Sequence, residues 1–246
     1  MIINHLAVDA DIVAYRCSFA CEAEPVSVLH RTIDDFLNYM AVDSGVSDMT
    51  LYLTGKDNFR YKVATTRPYK GNRKKSTKPE HLQASRDYMV KKYKAMVVDG
   101  YEADDAIATH MTIDPQTAHC GIDKDIKQIA GWHYNFVKKE WDEVTPDEAA
   151  LLLWRQVLSG DSTDNIPGLK GIGAKKAERA VQYPDKAEED AFHFYKVHMF
   201  NSSWQEVSDY FVEQTQLIRL KTDLELPDHK VTITKFFAEE EGWMGE

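Results

Sequence analysis

The chain has 246 residues, 43% of them hydrophobic and 28% charged, with a formal net charge of −10. That is the composition of an ordinary globular chain, one large domain or two small ones, with no low-complexity tract and no run near the roughly 20 apolar residues that cross a bilayer. The anionic surplus argues at first against a polyanionic partner, and three scattered cysteines, Cys17, Cys21 and Cys120, exclude a disulfide framework or a zinc site.

The opening MIINHLAVDADIVAY lacks the basic, apolar and small-residue regions of an export signal, so a cytoplasmic location is expected, with no membrane partner. Apolar runs at 5–8, 49–53, 95–98 and 117–122 predict buried strands. Helical periodicity at 32–42 and 103–111 falls between them. Strands alternating with helices predict an α/β fold, with a mainly parallel central sheet flanked by helices on both faces. Between the second and third strands, residues 56–94 carry thirteen Lys and Arg against three acids, a local surplus of +10 that calls for an acidic partner or an exposed loop.

Residues 131–144 read as two short strands. At Thr145-Pro146-Asp147-Glu148 the pattern becomes a helix start: a capping Thr, a Pro in the first turn and a Glu three residues on. That helix should run through 149–158, and Gly160, Pro167, Gly168, Gly171 and Gly173 then punctuate the chain before a helical pattern over 174–181. The remainder looks helical, with a strand-like stretch at 231–237 and a solvated acidic end at Glu239, Glu240 and Glu241. The expected division is 1–144, including the basic segment at about 56–94, and 145–246.

In open parallel sheets ligands bind beyond the carboxyl ends of the strands. The residues there are acidic: Asp9 after the first strand, Glu102, Asp104 and Asp105 after the third, Asp123 and Asp125 after the fourth. Convergent carboxylates raise one another's pKa, and a divalent cation relieves the conflict. All-oxygen donors favour magnesium or manganese over zinc. Two such ions about 3.5 to 4 Å apart can activate a water and stabilise a leaving phosphodiester oxygen. Any single one of these acids would serve equally well as a helix cap, and the residues alone leave both readings open.

The segment Gly160-Asp161-Ser162-Thr163-Asp164-Asn165-Ile166-Pro167-Gly168, followed by Gly171-Ile172-Gly173 and Lys175-Lys176, closely resembles the signature of the 5′-nuclease superfamily. This family comprises flap endonucleases, the 5′-nuclease domain of bacterial DNA polymerase I and stand-alone bacteriophage 5′→3′ exonucleases. Asp9-Ala10-Asp11 with Tyr15-Arg16, Glu102-Ala103-Asp104-Asp105-Ala106, Asp123-Lys124-Asp125 and Tyr69-Lys70-Gly71-Asn72-Arg73 are similar to its other motifs. The resemblance spans about residues 5 to 181. It implies a PIN-like nuclease core, a helical arch in the basic segment and a helix-three-turn-helix after Thr145. It also implies two magnesium ions, with manganese able to substitute, and potassium at the glycine-rich turn. Asp9, Glu102, Asp104 and Asp105 would centre on the first metal, Asp123, Asp125, Asp161 and Asp164 on the second. Lys70, assisted by Arg73, would stabilise transition-state charge. Arg60, Tyr69, Lys74, Lys75, Gly168, Gly171, Gly173, Lys175 and Lys176 would contact nucleic acid.

The activity so implied is metal-dependent hydrolysis of DNA phosphodiester bonds at or near 5′ ends, by a monomer acting on branched or 5′-ended duplex or on RNA–DNA hybrid. In a phage-encoded chain the location would be the host cytoplasm. One departure stands out: where the family carries an Asp after the second strand this chain reads Leu53-Thr54-Gly55, with Asp57 as the nearest acid. That departure supports one rival, a catalytically silent DNA-binding protein of the same fold. A second rival, a small α/β ribonuclease, lacks the glycine-rich turn.

Overall fold

The computed structural model describes residues 2–73, 77–227 and 230–233. Five strands form the parallel heart of the sheet: β1 (His5–Asp9), β2 (Asp48–Thr54), β3 (Met96–Val98), β4 (Thr117–Cys120) and β5 (Gly131–Asn135). The order is β3-β2-β1-β4-β5, continued by β6 (Glu140–Val144), which returns antiparallel to β5. The short β7 (Val231–Thr232) adds antiparallel to the start of β2. β1 lies at the centre because His5, Leu6, Ala7 and Val8 are all buried, leaving no polar face to present to water.

Helices cover both faces. On one, α1 (Ala10–Ala20), α2 (Val26–Ser44) and α4 (Leu82–Tyr93) bury Val13, Leu29, Ile33, Leu37 and Met89 against Leu6, Val8 and Leu51. On the other, α5 (Ala103–Ile113) packs Ala106, Ile107 and Met111 against Ala7 and Tyr52, and Leu220 joins them from far along the chain. A separate core is built by α6 (Pro146–Ser159), α7 (Ala174–Ala180), α8 (Ala187–His198) and α9 (Trp204–Ile218), around Trp154, Val157, Leu158, Tyr195 and Phe211. The start of α6 is the expected one: Thr145 Oγ1 accepts from the Glu148 amide, and the Glu148 carboxylate accepts from the Thr145 amide at 2.8 Å. α2 begins six residues before the expected 32, because Leu29 already continues the buried apolar stripe of Ile33, Leu37 and Met40.

The basic segment divides in two. Its first part holds α3 (Arg60–Val63), a single turn, followed by irregular backbone. Its last part is α4, a core helix whose Met89 and Tyr93 are buried and whose Ser85 hydroxyl meets that of Ser18 at 2.7 Å. Lys74 and Lys75, residues 234–237 of the expected last strand, and the acidic end at Glu239 to Glu241 lie outside the described residues. Among the described residues no helix is long and apolar enough to cross a membrane.

Candidate metal and nucleic-acid site

A cleft of about 800 Å³ opens at the carboxyl edge of the parallel strands. It gathers Asp9 from the end of β1, Glu102 and Asp104 from the start of α5, Asp123 and Asp125 from the turn after β4, and Asp161 and Asp164 from the loop after α6. Parallel pairing puts these strand ends side by side, and a helix start leaves its first carboxylates pointing outward along the strand direction. Asp9 caps α1, its Oδ1 accepting from the Asp11 amide at 2.9 Å. Gln156 of α6 donates to Asp125 Oδ1 at 2.6 Å, and its Oε1 is left buried with no hydrogen-bond partner among the described residues. Asp104 makes no hydrogen bond or ion pair among those residues.

The acids oppose one another. Burial, then the neighbouring Asp11, pushes the Asp9 carboxyl up to about 7. Burial together with Asp9, Asp123 and Glu102 holds Asp104 well above the usual carboxylate range. Asp125 is raised to about 6 by burial, Asp123 and Asp161. Cation binding suits this chemistry: every donor is an oxygen, the charge is excessive, and the Gln156 acceptor is orphaned. Among the described residues no three of His, Cys, Asp and Glu stand close enough to enclose an ion. Such a spacing fits a hard cation that keeps several of its own waters.

A pH dependence follows. In the unfolded chain these aspartates release their protons near pH 4, whereas folded Asp9 holds its proton to about 7 and Asp125 to about 6. Between those limits the folded state binds more protons, so stability without divalent ions should fall as pH rises from about 4 to about 7. Magnesium should reverse the fall by mass action. Melting temperatures across that window, in chelator and in excess magnesium, check it; parallel curves would mean that no cation meets these acids.

Cations already stand among the acids. The Lys70 ammonium pairs with Glu102 and lies 3.6 Å from Asp164, while Arg73 reaches Asp164 at 2.6 Å. Lys70 is held in the left-handed region at φ 54, which is strained for a residue with a Cβ, and its amide donates to the Asp164 carbonyl at 2.8 Å. The Tyr69 hydroxyl donates to Asp164 at 2.7 Å and lies 3.1 Å from Glu102. Tyr69, 4% exposed, is therefore held beneath the acids.

No family model matches the chain. It is 26% identical over 203 residues to the thermostable DNA polymerase I of Thermus caldophilus, a match covering 72% of this chain and 24% of the relative. It is 31% identical over 99 residues to the 5′-3′ exonuclease of Bacillus subtilis, covering 34% of this chain and 33% of that one. The chain thus spans about a quarter of the length of the polymerase relatives. Among solved structures, the bacteriophage T5 flap endonuclease in complex with DNA and metal ions superposes with a TM-score of 0.68 at 16% identity, covering 89% of this chain and 90% of that one. The T5 5′-exonuclease with divalent metal ions gives 0.65 at the same identity and coverage. The chain has the 5′-nuclease fold.

Within this 5′-nuclease fold three expected site residues are engaged by the protein itself. Asp105 is fully buried and does not line the cleft. Its oxygens accept from Arg60 Nη1 and Nη2 at 2.6 and 2.8 Å and from the amides of Glu102 and Lys221. Every lone pair of this carboxylate is thus met within the protein, at a residue the sequence placed among the metal ligands. Arg60, 2% exposed, donates also to the Leu217 and Arg219 carbonyls, and its Nη1 lies 3.9 Å from Glu102 at the wall of the cleft. Gly168 is buried at φ 56, where a Cβ would fall inside the backbone of Gly160. Its amide donates to Gln214 and its carbonyl accepts from Tyr210, so both of its backbone groups are engaged within the protein. Gly171, Gly173, Lys175 and Lys176 lie on the surface, with Lys176 Nζ on the Gly171 carbonyl.

Thr54 does different work from the Asp of the family pattern: its Oγ1 accepts from the Ala103 amide at 3.0 Å and caps α5. Asp57 lines the cleft, and so does Asp11, which the sequence reading passed over as a site residue. Asp11 pairs with Arg86 and accepts from the Thr54 amide at 2.8 Å. Its two-residue spacing from Asp9 at a strand-to-helix junction was the available signal. Gln156 carried none.

Proposed function

We propose that this chain is a divalent-metal-dependent 5′-nuclease that hydrolyses DNA phosphodiester bonds at or near 5′ ends. One observation carries the reading: carboxylates from four separate segments meet in one cleft, with Lys70 and Arg73 beside them. The relatives named polymerase I and 5′-3′ exonuclease, and the flap endonuclease complex with DNA and metal ions, support it. In this reading Asp9, Glu102 and Asp104 hold one magnesium ion, and Asp123, Asp125, Asp161 and Asp164 a second. When bound there, the cations would lower the pKa of a water at neutral pH and offer counter-charge to the leaving oxygen.

The protein's own groups do the rest. Gln156 orients Asp125, and Asp9 is oriented by the first amides of α1. Tyr69 holds the inner oxygen of Asp164, so that this carboxylate keeps its direction when its cations move. Lys70 and Arg73, already held by their carboxylate partners, take the phosphate as a further one, offering charge-assisted hydrogen bonds where negative charge develops. Exposed Lys175 and Lys176 beside Gly171 and Gly173 face the duplex backbone. RNA–DNA hybrid is a second substrate to compare.

Asp104→Asn tests the proposal. Cleavage of a 5′-flap duplex in magnesium should fall about 100-fold or more, and the magnesium-induced rise in melting temperature should shrink. Without magnesium the variant should melt no lower, since it removes a repelled charge. Undiminished cleavage defeats the reading. An unaltered chain that binds duplex without cutting it would favour the silent DNA-binding protein that Thr54 supports.

A further inference from the structure

The root of the basic segment and the glycine-rich turn lie about a hundred residues apart, yet both are fastened to adjacent residues of α9. Glu213 is 8% exposed. One of its oxygens accepts from the Thr65 and Thr66 amides, both at 2.7 Å, and the other from the Thr66 hydroxyl at 2.5 Å. The next side chain, Gln214, fully buried, accepts from the Gly168 amide at 3.0 Å, and Tyr210 one turn earlier donates to the Gly168 carbonyl at 2.7 Å.

A second set of bonds closes the circuit. Asn165 Nδ2 donates to the Pro68 carbonyl at 2.9 Å, the Lys70 amide to the Asp164 carbonyl at 2.8 Å, and Asn72 Nδ2 to the Ser162 carbonyl at 2.6 Å. Lys70 is thus fixed from two sides. Its loop is zipped to residues 162–165, and four residues upstream Thr66 is pinned to α9. Its left-handed backbone persists because these neighbours over-determine it.

We propose that Glu213 is a positioning residue for Lys70: by fastening Thr65 and Thr66 to the helix that also holds Gly168, it sets where the Lys70 ammonium stands over Glu102 and Asp164. The inference rests on Lys70 being the phosphate-facing cation of the proposed reaction. Glu213 touches no substrate. Two adjacent amides and a hydroxyl converge on it, so the site needs an acceptor at one oxygen and tolerates an amide at the other, where Thr66 Oγ1 can turn to accept.

The test compares Glu213→Ala, Glu213→Gln and Thr66→Ala in the full chain. In Glu213→Ala, kcat on a 5′-flap duplex should fall about 10-fold or more while duplex Kd stays within about 2-fold, since a displaced cation costs positioning more than affinity. Glu213→Gln should restore kcat to within about 3-fold of the unaltered chain, which a merely charged role would not allow. Hydrogen exchange supplies a readout free of activity: the Thr65 and Thr66 amides should lose protection in Glu213→Ala, and the Lys70 amide should exchange faster with them. Unchanged Lys70 exchange and unchanged kcat, with Thr65 and Thr66 released, would overturn the proposal. Should Glu213→Ala fail to fold, Thr66→Ala, an exposed position, decides by the same Lys70 exchange: faster supports, unaltered overturns. If the unaltered chain cuts no nucleic acid, the catalytic reading of Lys70 fails by itself, and the exchange data still judge the coupling.

Discussion

Replacing Lys70 by alanine should lower turnover on 5′-ended duplex by about 100-fold or more while changing duplex affinity by less than about 10-fold. The asymmetry follows from where the ammonium stands. It is 18% exposed, between Glu102 and Asp164, and held by a strained backbone at the tip of a zipped loop. A phosphate entering the cleft offers it one more partner among several, so ground-state binding gains little. Charge developing on the phosphate oxygens gains a preoriented donor that needs no reorganisation. Arg73, 53% exposed and with Asp164 as its one acidic partner among the described residues, should matter less for turnover. Single-turnover rates and binding measured in chelator separate the two quantities; equal losses in both would reduce Lys70 to a binding residue.

Asp105→Ala should destabilise the fold by about 3 to 5 kcal/mol, the range for stripping one partner from a buried ion pair. Arg60 would be left as a buried charge with two carbonyls and the more distant Glu102 carboxylate, 3.9 Å away, to satisfy it, and the Glu102 and Lys221 amides would lose their acceptor. Asp104, the adjacent acid, should behave in the opposite way, with little loss of stability and a large loss of response to magnesium. Denaturant unfolding of both variants, with and without magnesium, checks the pair. If Asp105→Ala cost less than about 1 kcal/mol and abolished the magnesium response, Asp105 would be a ligand after all.

That contrast shows what the residue pattern could and could not reveal. The sheet was legible because runs such as Leu6-Ala7-Val8 carry a buried strand in their own composition, and α6 because Thr145, Pro146 and Glu148 form a local code for a helix start. The acids at the strand ends were legible for a topological reason: parallel strands all present their carboxyl ends to one edge. Asp104 and Asp105 were not separable. Adjacent residues on a helix point about 100° apart, and which one faces the cleft depends on Arg60, forty-five positions away. The basic run misled in part for the same reason. Arg60, Lys70, Arg73, Arg86 and Lys92 each have an acid within the protein, contributed by α1, α2, α5 and the loop after α6. Gly168 was legible as a turn but its buried contacts with α9 were not, and Glu213 gave no local signal at all, since its partners Thr65 and Thr66 lie 148 and 147 positions away.

The clamp around Arg60 and Asp105 also bears on the order in which the molecule is built. Its carbonyl and amide partners, Leu217, Arg219 and Lys221, lie more than a hundred positions downstream. Contacts of such long range form late, after the loop-closure entropy between them has been met. A growing or refolding chain can therefore assemble β1 to β5 and still leave a guanidinium and a carboxylate half-satisfied behind the acids, until α9 and the residues after it dock. The acids that follow β1 and β4 can thus be brought together before their backing is complete, and the clamp behind them closes only when the chain beyond α9 is in place.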